Sequence, residues 1–159
     1  MKYEKTITFK GDPEKAFEVA INTLIPHGFA IKKKAPRCIE FLGPDTLGNK
    51  GQNPLTGVSN LTAESGLYGL ELKAELGGIL KTVKFLVIFV VSMALFFLVL
   101  FGFLFGKNPD SPNFILLSLL PLAPWPLIIP IMLTVMKTRT KKSLDSLLNN
   151  MALLSKSTV

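Results

Sequence analysis

The feature that most constrains this chain is residues 85–105, which read FLVIFVVSMALFFLVLFGFLF and include no charged side chain. A helix rises about 1.5 Å per residue, so this stretch is long enough to cross the roughly 30 Å hydrocarbon core of a bilayer. A second apolar run, residues 114–136, follows after a short polar turn. The two runs predict a transmembrane helical hairpin with spans at about 85–105 and 114–136.

The predicted hairpin divides the 159 residues into three parts. Residues 1–78 are expected to form a cytoplasmic α+β domain, and residues 79–136 the hairpin. Residues 137–159 are expected to form a cytoplasmic, basic amphipathic helix. A domain of about 80 residues is large enough to bury a small core of its own.

Basic residues lie at the ends of both predicted spans. Lys81 and Lys84 precede the first span, and four cations follow the second: Lys137, Arg139, Lys141 and Lys142. The turn at residues 106–113 has Lys107, offset by Asp110. Because cytoplasmic flanks hold the excess of Lys and Arg, both termini are expected to be cytoplasmic. A first decapeptide without an apolar signal region and a single cysteine fit an integral protein of a prokaryotic plasma membrane.

The first 80 residues show the periodicities of strands and of one amphipathic helix. Asp12 is placed to cap a helix that has Pro13 in its first turn. Apolar residues recur on one face of this helix: Ala16, Phe17, Ala20, Ile21, Leu24 and Ile25. Strands are predicted at residues 3–10, 29–34, 37–42, 58–63 and 67–76, with a loop at residues 43–57. The simplest arrangement is an α+β fold in which a small antiparallel sheet packs against one helix.

The order of a strand, a helix opened by GDPEKAFEVA and a following meander resembles the start of the helix-grip lipid-binding domains of the START type. The resemblance covers about forty residues and implies a sheet that grips a helix around an apolar ligand. The chain departs from that family in having too few predicted strands to close a cavity.

Residues 140–156 have the spacing of an amphipathic helix. Its apolar stripe consists of Leu144, Leu147, Leu148, Met151 and Leu154. The periodicity leaves three positions open for this stripe. It could cover the open face of the sheet, lie on the membrane surface or contact a partner protein.

Two features of the predicted hairpin favour contacts between helices. Gly102 and Gly106 form a G-x-x-x-G pair near the outer end of the first span, which allows another helix to approach closely. The neighbour could be the second span of the same chain or another protein. The second span contains the prolines Pro121, Pro124, Pro126 and Pro130, which predict a kinked or locally unwound helix covered by neighbouring protein.

Candidate catalytic and ligand-binding motifs are weak. Gly43, Gly48 and Lys50 approach the phosphate-loop pattern, but the lysine does not follow the second glycine directly, and a strand rather than a helix comes next. His27 and Cys38 are each the single residue of their type, so neither a zinc site nor an intramolecular disulfide is expected. No catalytic residue, metal or cofactor is predicted. The basic balance lacks interleaved aromatic residues, so nucleic acid is not an expected partner.

The sequence therefore favours a non-enzymatic accessory subunit, assembly factor or scaffold of a larger membrane protein complex. Its expected partners are membrane lipids and either a membrane protein or further copies of the chain. The alternative is a membrane-tethered module in which the sheet and the amphipathic helix enclose a lipid or another apolar ligand. An enzyme acting on lipid or nucleotide would require polar residues that converge in a pocket.

Overall fold

The computed structural model of the chain describes residues 1–44, 55, 57–67, 69–105 and 120–156. The chain divides into two compact units. One unit, here called the sheet domain, combines Met1–Leu80 with Val135–Val159, and the other, called the helical unit, is Lys81–Thr134. The C-terminal segment is thus part of the same unit as the N-terminal domain.

The sheet domain contains a five-stranded antiparallel sheet. Its strands are β1 (Lys2–Ile7), β2 (Ala30–Ala35), β3 (Cys38–Leu42), β4 (Asn60–Gly66) and β5 (Gly69–Glu75). Their order across the sheet is β1-β5-β4-β3-β2, so the last four form a meander and β1 joins its far edge. Together with the helices described below, this sheet confirms the predicted α+β fold class.

Helix α1 (Pro13–Leu24) connects the two edge strands. Its cap is the predicted one, because a carboxylate oxygen of Asp12 accepts a hydrogen bond of 2.9 Å from the backbone N–H of Glu14. A 3₁₀ turn, Ile25–His27, follows and ends at Gly28 in a left-handed conformation with φ 85°. The buried face of α1 consists of Ala16, Phe17, Ala20 and Leu24.

The connection between β4 and β5 differs from the sequence prediction. Leu67 was expected in a strand, but it lies in a turn and is 94% exposed. The flanking glycines Gly66 and Gly69 pair with each other at the ends of the two strands. Gly69 has φ 145°, and a Cβ there would collide with the carbonyl oxygen of Ile7 on β1. The close approach of β1 therefore requires glycine at position 69.

Two long helices follow the sheet in the chain. Helix α2 is Gly77–Phe105, and helix α3 is Trp125–Leu154, preceded by a 3₁₀ turn at Leu120–Leu122. Helix α3 is continuous through residue 137, from the second apolar run into the amphipathic segment. Four of residues 137–143 are Lys or Arg, which are good helix formers, and this stretch contains no Gly or Pro that would interrupt the helix.

Candidate functional site

The C-terminal part of α3 packs into the core of the sheet domain. Its buried residues are Thr140, Leu144, Leu147, Leu148, Met151 and Ala152. Four members of the predicted apolar stripe thus face the domain interior, whereas Leu154 is 56% exposed. Leu154 lies at the end of the helix, where the buried face is continued by Ser155 instead. Its predicted contact with a partner or the sheet stays a prediction.

Three regions of the sheet domain lie close to this part of α3. At its start, a Cβ on Gly57 would lie 3.2 Å from the hydroxyl of Thr140. In the middle, Asp145 bonds to side chains of β1. At its end, a Cβ on Gly11 would lie 2.5 Å from the hydroxyl of Ser155. The helix and α1 together cover the apolar face of the sheet, which includes Ile39, Phe41, Leu61, Leu70 and Leu72.

A polar cluster of Tyr3, Lys5 and Asp145, here called the Asp145 clamp, joins α3 to β1. The Tyr3 hydroxyl donates a hydrogen bond of 2.6 Å to Asp145 Oδ1, and Lys5 Nζ lies 2.7 Å from the same oxygen. The bond from Lys5, followed by that from Tyr3, lowers the pKa of Asp145. Burial, reinforced by the neighbouring carboxylate, raises the pKa of Tyr3 well above its ordinary value.

One residue of the sequence, Lys5, indicates this clamp, although the apolar periodicity alone does not. Tyr3 and Ile7 are inward positions of β1, and the alternation of a strand places Lys5 on the same side. A lysine on the inward side of a strand needs an acidic neighbour when a helix covers that side. Asp145, on the polar border of the apolar stripe, is that neighbour.

The opposite face of the sheet presents a charged, open surface. Lys73, near its centre, pairs with Glu71 at 3.0 Å and Glu64 at 3.5 Å, and Lys32 pairs with Glu40 at 3.4 Å. The hydrogen bond with Glu71 raises the pKa of Lys73, and the same bond lowers the pKa of Glu71. These charges neutralise one another, which makes this face a solvated surface rather than a site that concentrates one charge.

A shallow depression of about 450 Å³ lies on this open face. Its lining comes from all five strands and includes Lys2, Glu4, Asn60, Thr62 and Glu75. Asn60 Nδ2 donates to Glu75 Oε2 at 2.9 Å, so this pair bridges β4 and β5. Sequence reasoning placed Glu71, Lys73 and Glu75 on one face of a strand, but the depression depends on neighbours from strands far apart in the sequence.

Cys38 and His27, each the single residue of its type, have ordinary structural contacts. The Cys38 thiol lies 3.9 Å from a carboxylate oxygen of Glu64, and burial together with this carboxylate raises the thiol pKa. A nucleophilic cysteine needs the opposite shift. His27 Nδ1 donates to the carbonyl oxygen of Thr23 at 2.7 Å, which anchors the turn after α1. Among the described residues, no group of three His, Cys, Asp or Glu side chains could hold a metal ion.

The helical unit exposes apolar side chains in every direction. Val99 is 73% exposed and Phe103 85% exposed on α2, and α3 likewise exposes Leu127 and Ile131. Both helices are long and apolar enough to cross a membrane, and no residue of their most apolar windows is buried. A helix that is apolar all round and unburied is typical of a membrane span. This supports a membrane location.

The prolines of the second predicted span lie mostly before or within the first turn of α3. Pro121 is in the 3₁₀ turn, Pro126 is the second helical residue, and the carbonyl of Pro124 accepts a bond of 3.0 Å from Ile128. At these positions a missing N–H costs little. Pro130 lies inside the helix and leaves one carbonyl without its usual donor. Within the described part of the second span, the departure from regular α-helix is thus at residues 120–124.

Several other predicted features lie partly or wholly outside the described residues. A Cβ on Gly102 would meet no atom of the described residues within 4 Å. Gly106, most of the loop at residues 43–57, the turn at 106–113 and the start of the second span at 114–119 lie outside the described residues. In the helical unit, Phe89 and Trp125 contact each other edge to face, with ring centroids 6.2 Å apart.

Comparisons of the chain with protein-family models, with curated proteins and with solved structures find no match. A functional proposal therefore depends on the chain's own features. These are a sheet domain closed by its C-terminal helix, an open charged face of the sheet, and two apolar helices with exposed surfaces.

Proposed function

We propose that the protein is a non-enzymatic, membrane-anchored accessory subunit, assembly factor or scaffold of a larger membrane protein complex. The observation that carries the proposal is the contrast between the two units. Large apolar side chains of the sheet domain, such as Leu148, are fully buried, whereas those of α2, such as Phe103, are exposed. The helical unit is therefore the part whose apolar side chains would be covered by lipid and by neighbouring helices.

The division into units supports a topology with both termini on one side of the membrane. The segments before and after the helical unit, residues 1–80 and 135–159, belong to one compact domain. Two spans separate these segments, and an even number of spans returns the chain to its starting side. Because cations flank both apolar segments, this side is the cytoplasmic one under the positive-inside rule. A prokaryotic plasma membrane remains our proposed location.

Gly102 is the proposed point of helix–helix contact. The open space around it means that the described part of the chain does not use its lack of a side chain. A small residue in lipid allows close approach of another helix, which gains packing and weak hydrogen bonds. The partner is a second membrane protein or a further copy of the chain, with Gly106 extending the contact one turn further.

The experiment is gentle detergent extraction from the native membrane with a tag at the C-terminus, followed by measurement of particle size and composition. The proposal predicts a particle that contains other proteins in defined amounts. Replacement of both Gly102 and Gly106 by leucine is expected to reduce recovery of those proteins at least fivefold. A Cβ at Gly102 meets no atom of the described residues within 4 Å, so the change at this position should leave the fold of the described chain intact.

The matched control is Val99→Leu, an equally apolar change at an exposed position of the same helix. It should leave the particle unchanged. A monomeric wild-type particle without other proteins would overturn the accessory-subunit proposal. A monomer that brings one lipid per chain would favour the ligand-binding alternative instead. That alternative has less support, because Leu148 and Met151 already fill the space between helix and sheet.

A further inference from the structure

The further inference concerns the part of α3 directly after its apolar run. Four cations occur at residues 137–142, and this group is here called the basic segment: Lys137, Arg139, Lys141 and Lys142. All four are exposed, whereas Thr140 in their midst is buried against the sheet domain. At 100° per residue their side chains spread over the sides of the helix that the domain leaves uncovered. The segment is thus a basic surface around the helix.

The positive charge of the basic segment is not neutralised by the acidic residue nearest in the sequence, because that residue binds other side chains. No Asp or Glu occurs between Asp110 and Asp145 in the sequence. The carboxylate of Asp145 binds Tyr3 and Lys5 at short distance, and Lys141 affects it only through a weaker charge interaction. Among the described residues, the recorded ion pairs use Lys5, Lys32 and Lys73, and none uses the basic segment.

The chain also contains a second basic cluster that has a different environment. Lys32, Lys33 and Lys34 lie on the edge strand β2, at a bulge in its pairing with β3. Lys32 is paired with Glu40. Lysines on an edge strand have an ordinary role, because they prevent pairing with strands of other molecules. This cluster is not adjacent to an apolar span in the sequence, so it provides an internal comparison.

We infer that the basic segment binds the phosphate groups of anionic phospholipids in the leaflet that faces the sheet domain. The inference rests on the proposed membrane insertion of the apolar part of α3. Cations immediately beyond a span lie at the depth of the lipid phosphates, and long Lys and Arg side chains reach them while their stems cover apolar surface. Each such residue raises the preference for anionic lipid by up to about fivefold.

The test is lipid titration of the purified full-length protein in detergent, with native mass spectrometry to count bound lipids. Phosphatidylglycerol and phosphatidylcholine with identical acyl chains are the two probes. Wild type should bind phosphatidylglycerol about tenfold more tightly than phosphatidylcholine. This ratio of the two affinities should fall as salt rises from 0.05 to 0.5 M, as expected for charge pairing in water. A ratio within twofold of unity would overturn the inference.

Two variants that remove the same number of positive charges locate the effect. Lys137→Gln with Arg139→Gln and Lys142→Gln should bring the ratio to within about threefold of unity. Glutamine is a good helix former, and Lys141 stays beside the Asp145 clamp. The control replaces Lys32, Lys33 and Lys34 by glutamine and should keep the wild-type ratio.

Equal loss in both triple variants would mean that overall charge, not the basic segment, selects the lipid. That result would also overturn the inference. An anionic protein partner instead of lipid would give a wild-type ratio near unity in the purified chain. Failure of the inference is distinguishable from failure of the proposed function, because the extracted particle reports the partner proteins whatever the lipid ratio is.

Discussion

Removal of the Asp145 carboxylate should loosen α3 from the sheet. In Asp145→Ala, the largely buried Tyr3 hydroxyl loses its acceptor at 2.6 Å. Leaving such a donor unpaired costs about 1–3 kcal/mol. The pair with Lys5 adds under about 0.5 kcal/mol, because the two side chains are 44% and 38% exposed and solvent screens them. We expect a total loss of about 2 kcal/mol.

Hydrogen–deuterium exchange of the full chain in detergent measures this loss locally. The amides of β1 and of residues 140–152 should exchange about thirtyfold faster in Asp145→Ala, since about 1.4 kcal/mol corresponds to a factor of ten. Asp145→Asn keeps an acceptor for Tyr3, so its loss of local stability should be about half that of Asp145→Ala. Trp125 fluorescence would not report it, because this tryptophan belongs to the helical unit.

The pH dependence follows from the two shifted pKa values of the clamp. The pKa of Asp145 is lowered on folding, so its contribution is present above the unfolded pKa of about 3.9 and is lost as the pH falls through the folded value. The pKa of Tyr3 is raised, so its contribution is present below the unfolded pKa of about 10 and is lost as the pH rises further. The ratio of exchange rates between variant and wild type should therefore be constant from about pH 5 to 9.

Exchange within twofold of wild type in both segments would refute this reasoning about the clamp. A double-mutant cycle with Tyr3→Phe separates the pairwise interaction from other effects of the substitutions. The coupling should be about 1 kcal/mol, because both single changes remove the same hydrogen bond. Zero coupling would show that the hydroxyl and the carboxylate do not act on each other.

Two further substitutions have matched controls. Leu148→Ala should lower the local stability measured by hydrogen exchange by about 3 kcal/mol, because Leu148 is fully buried. Its control, Leu154→Ala, should cost under about 0.5 kcal/mol, because Leu154 is exposed. Equal effects of the two changes would contradict the packing of α3. Gly69→Ala should destabilise the sheet by more than about 2 kcal/mol in thermal unfolding, since its Cβ would meet the Ile7 carbonyl. Gly66→Ala, with the nearest atom 4.0 Å away, should cost less than half as much, and similar melting temperatures for the two variants would refute this.

Local sequence patterns predicted the elements of this fold better than their mutual contacts. The alternation in β1 and β5, the Asp12 cap and the long apolar run of α2 are short-range signals, and each is present in the structure. The turn near Leu67 was misplaced, because an apolar residue continued the alternation into the hairpin. Strand order could not be read from the sequence, since β1 pairs with a strand more than sixty residues away.

The sequence did not determine where the C-terminal helix packs, and the reason is physical. An amphipathic stripe such as that of Leu144 and Leu148 gains similar free energy from a sheet, a partner or a membrane surface. In the structure the stripe packs on the sheet, and the polar contacts of Asp145 with Tyr3 and Lys5 join residues near the two ends of the chain, which periodicity does not show. The depression on the open face was likewise unpredictable, because five strands contribute to it.

The location of α3 makes folding of the sheet domain dependent on a segment that lies beyond both apolar runs. Burial of Leu144, Leu147, Leu148 and Met151 contributes about 2 kcal/mol each, or about 8 kcal/mol together. This is comparable to the whole stability of a small domain, about 5–15 kcal/mol. A fragment of residues 1–80 should therefore expose its sheet, bind a hydrophobic dye and lack slowly exchanging amides.

Addition of a peptide with residues 137–156 should restore slow exchange in β1 and β5, whereas the same peptide with Leu148→Asp should not, because the carboxylate would be buried without a partner. Slow exchange in the fragment alone would contradict the dependence and would assign α3 a dispensable role. If the dependence holds, the domain can present its finished open face only after the second apolar run has been synthesised and α3 has docked. A partner that binds that face would then recognise only chains in which α3 has docked.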